Sequence, residues 1–236
     1  MKNWTKLKAI ILDLDDTLYA ERDFVISGFG AVAAWSKQAL DLQPSQSREE
    51  LLTIFNSGER GDIFNRWLDM HELPLEPWLE QAVGVYRQHV PSIQPFSDTV
   101  YTLERFQQRF RLGLVTEGSY QAQQNKLEAL GLRDYFEAVV ILGFEERERW
   151  KPEPYPFELL LRKMRLRGDQ TIYAGDNPAK DFKGARQLGM GAVRIRRPEG
   201  FHYTIEAQGP TYEPDLEVSS LEALDDLLLE KMMEDR

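Results

Sequence analysis

Five short apolar runs, Ala9 to Leu14, Leu112 to Thr116, Ala138 to Leu142, Thr171 to Ala174 and Ala192 to Ile195, restrict this chain more than any other feature. Each is continuous rather than alternating, which is how strands read when helices bury both faces of a parallel sheet. Helical periods separate the last four. Ala122, Lys126, Leu127 and Leu130 follow Ser119, a candidate N-cap, and stop at Gly131; Phe157, Leu160, Leu161 and Met164 stop near Gly168; Phe182, Ala185 and Leu188 stop at Gly189. Strand alternating with helix predicts an α/β fold, a doubly wound parallel sheet.

The first run stands apart, because the segment before the second contains no convincing strand. Val25, Phe29, Val32 and Ala33 lie on one helical face; Leu51, Leu52 and Phe55 form a second; Phe64, Trp67 and Leu68 a third; Trp78, Ala82, Val85 and Tyr86 a fourth. Residues 21–93 are therefore expected to be an inserted α-helical domain, and 1–20 with 94–236 the core. Breaks at Pro91 and Pro95 return the chain to the sheet, with a helix from Ser97. Leu221, Leu224, Leu227 and Leu228 form a last stripe, expected to pack in the core, with a dimer contact as the alternative.

Acids outnumber bases, 39 Asp plus Glu against 29 Lys plus Arg, so the molecule's field repels nucleic acid and no such partner is expected. The chain has no cysteine, which excludes disulfides and thiol chemistry and fits a cytoplasmic protein. MKNWTKLKAIILDLDD is too short in apolar residues and too acidic for a signal peptide, and no run approaches the ~18 residues of a membrane span.

Chemistry gathers where the strands end. Ligands of a parallel sheet sit beyond the carboxyl ends of its strands, and there the first run sets down Asp13, Asp15 and Asp16. A period of two would point Asp13 and Asp15 the same way, and two such carboxylates repel unless a positive charge joins them. A hard cation with oxygen ligands, magnesium or a relative, is the simplest answer. The fourth run ends in YAGDNPAKDFKGA, where Gly175 is expected to turn the chain, Asp176 sits at the tip and Asp181 opens a helix. The second ends in LVTEGS, with the Thr116 hydroxyl, Glu117, and Gly118 leading to helix N-terminal amides suited to an anion. After the third comes Lys151, expected to be held extended by Pro152.

A cation cage, a hydroxyl with free amides and a lysine together fit a phosphoryl group. A carboxylate attacking a phosphate dianion meets about 4 kcal/mol of repulsion per charge pair at ~4 Å and an effective dielectric near 20, hence about 8 kcal/mol for two charges. Magnesium and Lys151 would offset it. Asp13 is then the nucleophile forming an aspartyl phosphate, and Asp15 the acid that protonates the leaving oxygen and the base that activates water.

The segments DLDDT (Asp13 to Thr17), LVTEG with Thr116, KPEPYPF with Lys151, and GDNPAKD (Gly175 to Asp181) resemble the four motifs of the haloacid dehalogenase superfamily, in order and across essentially the whole chain. The resemblance implies a Rossmann-like core and a helical cap inserted after the first motif, closing over a small substrate. It implies Mg2+ held by Asp13, the backbone carbonyl of Asp15, and Asp176, with Asp181 supporting the metal shell. Thr116, Glu117, Gly118 and Lys151 are expected to hold the substrate phosphate. Many members carry Asn or Asp after the second-motif Thr, where Glu117 stands here.

The expected activity is a Mg2+-dependent phosphatase acting on a small phosphorylated metabolite. Alternatives on the same fold are a dehalogenase hydrolysing a carbon–halogen bond, a phosphomutase and a non-catalytic phospho-ligand-binding protein; Asp15 with Asp176 favours phosphoryl transfer, since a dehalogenase needs neither. GFGAVA, Gly28 to Ala33, mimics a dinucleotide fingerprint but follows no strand and reads as helix packing. His71, His89 and His202 lack ligand spacing and are expected to be surface or core residues. Glu145 to Glu148 reads as a solvated loop, while Arg22, Arg60 and Arg66 are exposed-helix arginines with an anionic substrate as the alternative.

Overall fold

The computed structural model describes residues 6–58 and 60–234, so the first five residues of the stretch read as lacking a signal peptide lie outside the described residues. Six strands, β1 (Ala9–Leu12), β2 (Arg111–Glu117), β3 (Ala138–Leu142), β4 (Thr171–Gly175), β5 (Gly191–Ile195) and β6 (Leu216–Val218), form one sheet in the order β3-β2-β1-β4-β5-β6. All five pairings are parallel. The order changes direction at β1, so the switch crevice lies at the carboxyl ends of β1 and β4.

The five apolar runs are the first five strands. Strand β6, with the half-buried pattern LEV, has too little apolar character to register as a buried run. Strand β1 stops at Leu12, two residues before its apolar pattern does, although the Asp13 amide still donates to Ala174 O at 2.9 Å.

Both sheet faces are covered. Ile10, Leu12, Leu112 and Leu114 pack under α5 (Thr99–Gln107), α6 (Tyr120–Ala129) and α9 (Leu221–Glu234). Ile11, Val115, Tyr173 and Ala192 pack under α7 (Tyr155–Met164) and α8 (Asp181–Gln187). Helix α5 begins two residues after Ser97. Helix α7 ends at Arg165, left-handed at φ 53°, and not at Gly168. The leucine stripe of α9 is core, with Leu221, Leu224 and Leu228 buried.

Between β1 and α5 run four helices, α1 (Glu21–Leu40), α2 (Pro44–Asn56), α3 (Ile63–Met70) and α4 (Leu75–Gln88), with a core of their own around Phe29, Val32, Leu51, Phe55, Trp67 and Leu68. Gly28 sits where α1 meets α4: a β-carbon there would come within 2.5 Å of the Tyr86 ring, so GFGAVA is helix packing. Helix α1 starts at Glu21 because the Asp16 carboxylate accepts its amide at 2.9 Å, satisfying an otherwise orphaned donor. No described helix is long and apolar enough to cross a membrane.

Helix α9 is fastened to α5 by Asp225, buried and paired with Arg105 Nε at 2.7 Å and with Arg109. Replacing it by Ala leaves two partly exposed guanidinium groups without their buried partner. Asp225→Ala is expected to cost about 3 kcal/mol in urea unfolding, between a lost charged hydrogen bond and a broken buried ion pair; a cost below about 0.5 kcal/mol would show that the pair does not anchor α9.

Candidate active site

Four chain segments far apart in sequence meet at the switch crevice. The Lys151 ammonium, fully buried, donates to Asp13 Oδ1 at 2.8 Å, Asp181 Oδ1 at 2.7 Å and the Tyr173 hydroxyl at 2.8 Å. Oxygens of Asp13, Asp176 and Asp181, all buried, lie within 4.8 Å of one another. Asp181 is at the first residue of α8, and its second oxygen accepts the Asn177 amide at 2.8 Å, closing the loop that carries Asp176.

The charge is unbalanced. Burial works against the Lys151 ammonium, but Asp13 and Asp181 overcome it and keep the group protonated well above its usual range. Burial would likewise neutralise Asp181, yet Lys151 and Lys180 hold its carboxyl below the ordinary value. Asp13 is pushed up, by burial first and by Asp181, against the pull of Lys151. Asp176 is pushed up to about 7 by burial, with His202 opposing and Asp181 and Asp13 adding repulsion. Lys151 thus bonds Asp13 and Asp181 while His202 bonds Asp176, and the hard oxygen donors of these three buried carboxylates suit a hard divalent cation.

Asp15 does not join that set. Beyond Leu12 the backbone is no longer a strand, with Asp16 left-handed at φ 53°, so the period of two fails and the Asp13 and Asp15 carboxylates take separate partners. Asp15 accepts Lys126 Nζ at 2.6 Å, Gln123 Nε2 at 2.9 Å and the Tyr19 hydroxyl. Burial pushes Asp15 up, but the Lys126 charge and these bonds outweigh it and hold the carboxyl below its usual value. At the first strand tip Lys151 is thus bonded to Asp13 and Lys126 to Asp15.

Thr116 is buried at the end of β2, and its hydroxyl accepts from Gln123. Gly118 follows at φ 138°, a conformation that favours glycine. The Glu117 carboxylate accepts the Lys151 amide and lies 3.7 Å from Lys180 Nζ, so it braces the lysine turn and is already engaged within the protein. Lys151 itself is in a turn with a cis bond to Pro152 instead of the expected extended conformation. Gly175 is a strand residue, not a turn: a β-carbon there would stand 2.5 Å from Asp181 Oδ2, so its absence lets the carboxylate approach.

Sequence reasoning missed several contributors. Lys126 and Gln123 occur on α6 at positions that read as ordinary helix, and only the fold turns them toward Asp15. His202 is not an isolated histidine: its Nδ1 lies 2.9 Å from Asp176 Oδ2, and although burial works against its charged form, that carboxylate raises its pKa. The loop bearing it is held by Arg194, buried on β5, which donates to His202 O at 2.7 Å, Ile205 O at 2.8 Å and Asp176 O at 3.2 Å. Asp16 ties the same loop to α1, accepting the Phe201 amide at 2.7 Å and the Glu21 amide. His71 bonds Glu50 at 2.7 Å and His89 bonds Tyr86 O at 2.7 Å, both inside the insert. Glu145 to Glu148 lies in a mostly exposed 3-10 turn. Arg22 bonds Asn56, and Arg60 lines the cavity between insert and core.

A family model described as haloacid dehalogenase-like hydrolase matches residues 10–195. The chain belongs to that family. It is 31% identical over 234 residues, 95% of this chain and 98% of the relative, to a glyceraldehyde 3-phosphate phosphatase of Methanopyrus kandleri. It is 32% identical over 199 residues, 80% of this chain and 85% of the relative, to the protein of that name in Methanocaldococcus jannaschii. Among solved structures it resembles a 2-haloacid dehalogenase from Pseudomonas syringae pv. Tomato, with a TM-score of 0.62 at 25% identity over 95% of this chain and 99% of that one. It also resembles a HAD phosphatase from Thermococcus onnurineus, with a TM-score of 0.59 at 25% identity over 94% and 98%.

Removing the Lys151 ammonium while keeping its length strands two buried carboxylates. Lys151→Met is expected to lose about 3–5 kcal/mol in urea unfolding in a chelator-containing buffer, the usual cost of breaking a fully buried pair; unchanged stability would mean that Lys151 is not what neutralises Asp13 and Asp181.

Proposed function

We propose that the protein is a Mg2+-dependent phosphatase that hydrolyses a small phosphate monoester through an aspartyl phosphate on Asp13. The observation that carries this reading is the shared buried cluster of Asp13, Asp176 and Asp181 around Lys151, with a second carboxylate, Asp15, on its own lysine two residues from the nucleophile. The relatives named as phosphatases support the same class.

Asp13, Asp176 and the Asp15 carbonyl would hold the ion and Asp181 would support them; when bound, the ion supplies positive charge to the phosphate oxygens and lowers repulsion toward Asp13. Lys151, with Thr116 and the amides at Gly118, would orient the phosphate so that an Asp13 oxygen lies in line with the leaving alcohol. An Asp13 oxygen then bonds to phosphorus as the ester P–O bond breaks, and Asp15 gives the departing oxygen its proton. Water next attacks the same phosphorus, Asp15 takes its proton, the Asp13–phosphorus bond breaks and inorganic phosphate leaves. Lys126 favours the ionised Asp15 that the second half needs, so the first half requires a proton taken up on Asp15 when substrate binds.

Residues 1–20 and 94–236 would form the catalytic core and 21–93 a cap over the crevice. A cavity of about 630 Å3 lies between the two, reaching from Lys151 to the insert helices. Dehalogenation is the weaker reading: displacing halide requires neither an acid at position 15 nor the three-carboxylate cluster.

Phosphate release from p-nitrophenyl phosphate is expected to require Mg2+, to stop with chelator, and to fall on the order of a thousandfold or more in Asp13→Asn; undiminished release from folded Asp13→Asn would remove Asp13 as nucleophile. Saturation with Mg2+ at about 100 times its dissociation constant is expected to add about 2.7 kcal/mol to unfolding stability. Asp176→Asn should lose most of that gain. An equal gain in this variant would place the ion elsewhere.

A further inference from the structure

The two sides of the cavity differ in character. Its core side is polar around Lys151, with Asn177, Lys180 and His202. Its insert side presents the rings of Phe55, Phe64 and Tyr86, with Glu21, Asn65 and Arg87 as polar groups among them. The rings already meet edge to face: Phe29 and Phe64 have centroids 6.1 Å apart, Phe64 and Tyr86 5.5 Å, and Phe29 and Phe55 5.9 Å. From the core, Phe201 completes the wall at 5.7 Å from Phe55, and the Arg60 guanidinium lies 3.8 Å above the Phe201 ring and 5.1 Å from Phe55.

Such a wall selects by shape and polarity. A short sugar or triose phosphate carries a hydroxyl or carbonyl on nearly every carbon, and away from Glu21, Asn65 and Arg87 these groups would meet rings, losing water without gaining partners. A planar ring adds one more edge-to-face contact and removes apolar surface from water, while its phosphate reaches the polar floor. A volume of about 630 Å3 is also ample for a ring-bearing ligand, since cavities of about 300–1,000 Å3 hold drug-sized molecules.

We infer that the substrate is a phosphate monoester whose leaving alcohol carries a planar unsaturated ring, seated against the half-buried Phe64 and Tyr86, which the buried Phe29 and Phe55 back, with Arg60 and Phe201 at its side. The class differs from that in the names of the similar phosphatases. The inference rests on the phosphatase reading only for where the phosphate lies, and its test separates the two.

The test compares benzyl with short polar or alkyl partners in two readouts on the full chain with Mg2+. In calorimetry, benzylphosphonate, which cannot be hydrolysed at its P–C bond, is expected to bind at least tenfold more tightly than ethylphosphonate. In phosphate release, benzyl phosphate is expected to exceed glycerol 3-phosphate at least tenfold in kcat/KM, chiefly through KM. Phe64→Ala, at a half-buried position, should bring both ratios below threefold, and Phe64→Leu should leave them intermediate. Tighter benzylphosphonate binding without hydrolysis of either ester would uphold the ring site while refuting the phosphatase. Equal binding of the two phosphonates, binding of neither at millimolar concentration, or ratios unmoved by Phe64→Ala would overturn the inference.

Discussion

One ammonium group, Lys151 Nζ, holds the crevice together. It bonds the carboxylate that follows β1 and the carboxylate that opens α8, and it takes a third bond to a tyrosine on β4. Without it, Asp13 and Asp181 would be like charges packed beside each other in a space that excludes water, where repulsion is far less screened than at a surface. With it, the segment after β1 and the start of α8 are drawn to one point. Asp176, raised first by burial and further by the charges of Asp181 and Asp13, would be relieved by more positive charge at that point.

The rest of the molecule presents this charge to a bounded space. Asp16 fixes the first turn of α1 and the Phe201 amide with one carboxylate, so the insert and the loop after β5 are anchored beside the same segment that carries Asp13. Arg194 carries out the matching task from below, bonding the carbonyls of His202, Ile205 and Asp176 from within the sheet. The cavity wall therefore consists of two pieces whose positions both refer back to the strand tips. Glu21, at the head of α1 and facing that cavity, has its pKa raised to about 7 by burial and by Asp15, so the charge of the site extends into the insert.

Much of this was legible because the relevant residues are local in sequence. A continuous apolar run followed by an acid states both the strand and the place where its side chains leave the sheet, and DLDDT and GDNPAKD each carry that message within a few residues. Lys126 and Gln123 carry no such message. Each lies on a helix face that a period of 3.6 marks simply as inward, and the polar partner they meet is more than a hundred residues away. His202 is obscured in the same way, since only the loop held by Arg194 brings it to Asp176. The shared direction expected for Asp13 and Asp15 failed for a backbone reason: alternation holds inside a strand, and β1 ends before either residue. Gly175 shows the reverse, a residue whose identity was legible but whose purpose was not, because the carboxylate it makes room for arrives from the next helix.

The central claim is that the Asp13 and Asp176 carboxylates, supported by Asp181, hold a divalent ion at the crevice. Mn2+, a spectroscopically visible relative of Mg2+ with the same preference for oxygen, reports on it directly by anomalous diffraction from crystals soaked in the ion. The account predicts one strong peak at metal–oxygen distance, about 2.1 Å, from both the Asp13 and Asp176 carboxylates. A fully loaded crystal with its peak elsewhere, or with Asp13 and Asp176 bound to no ion, would contradict it.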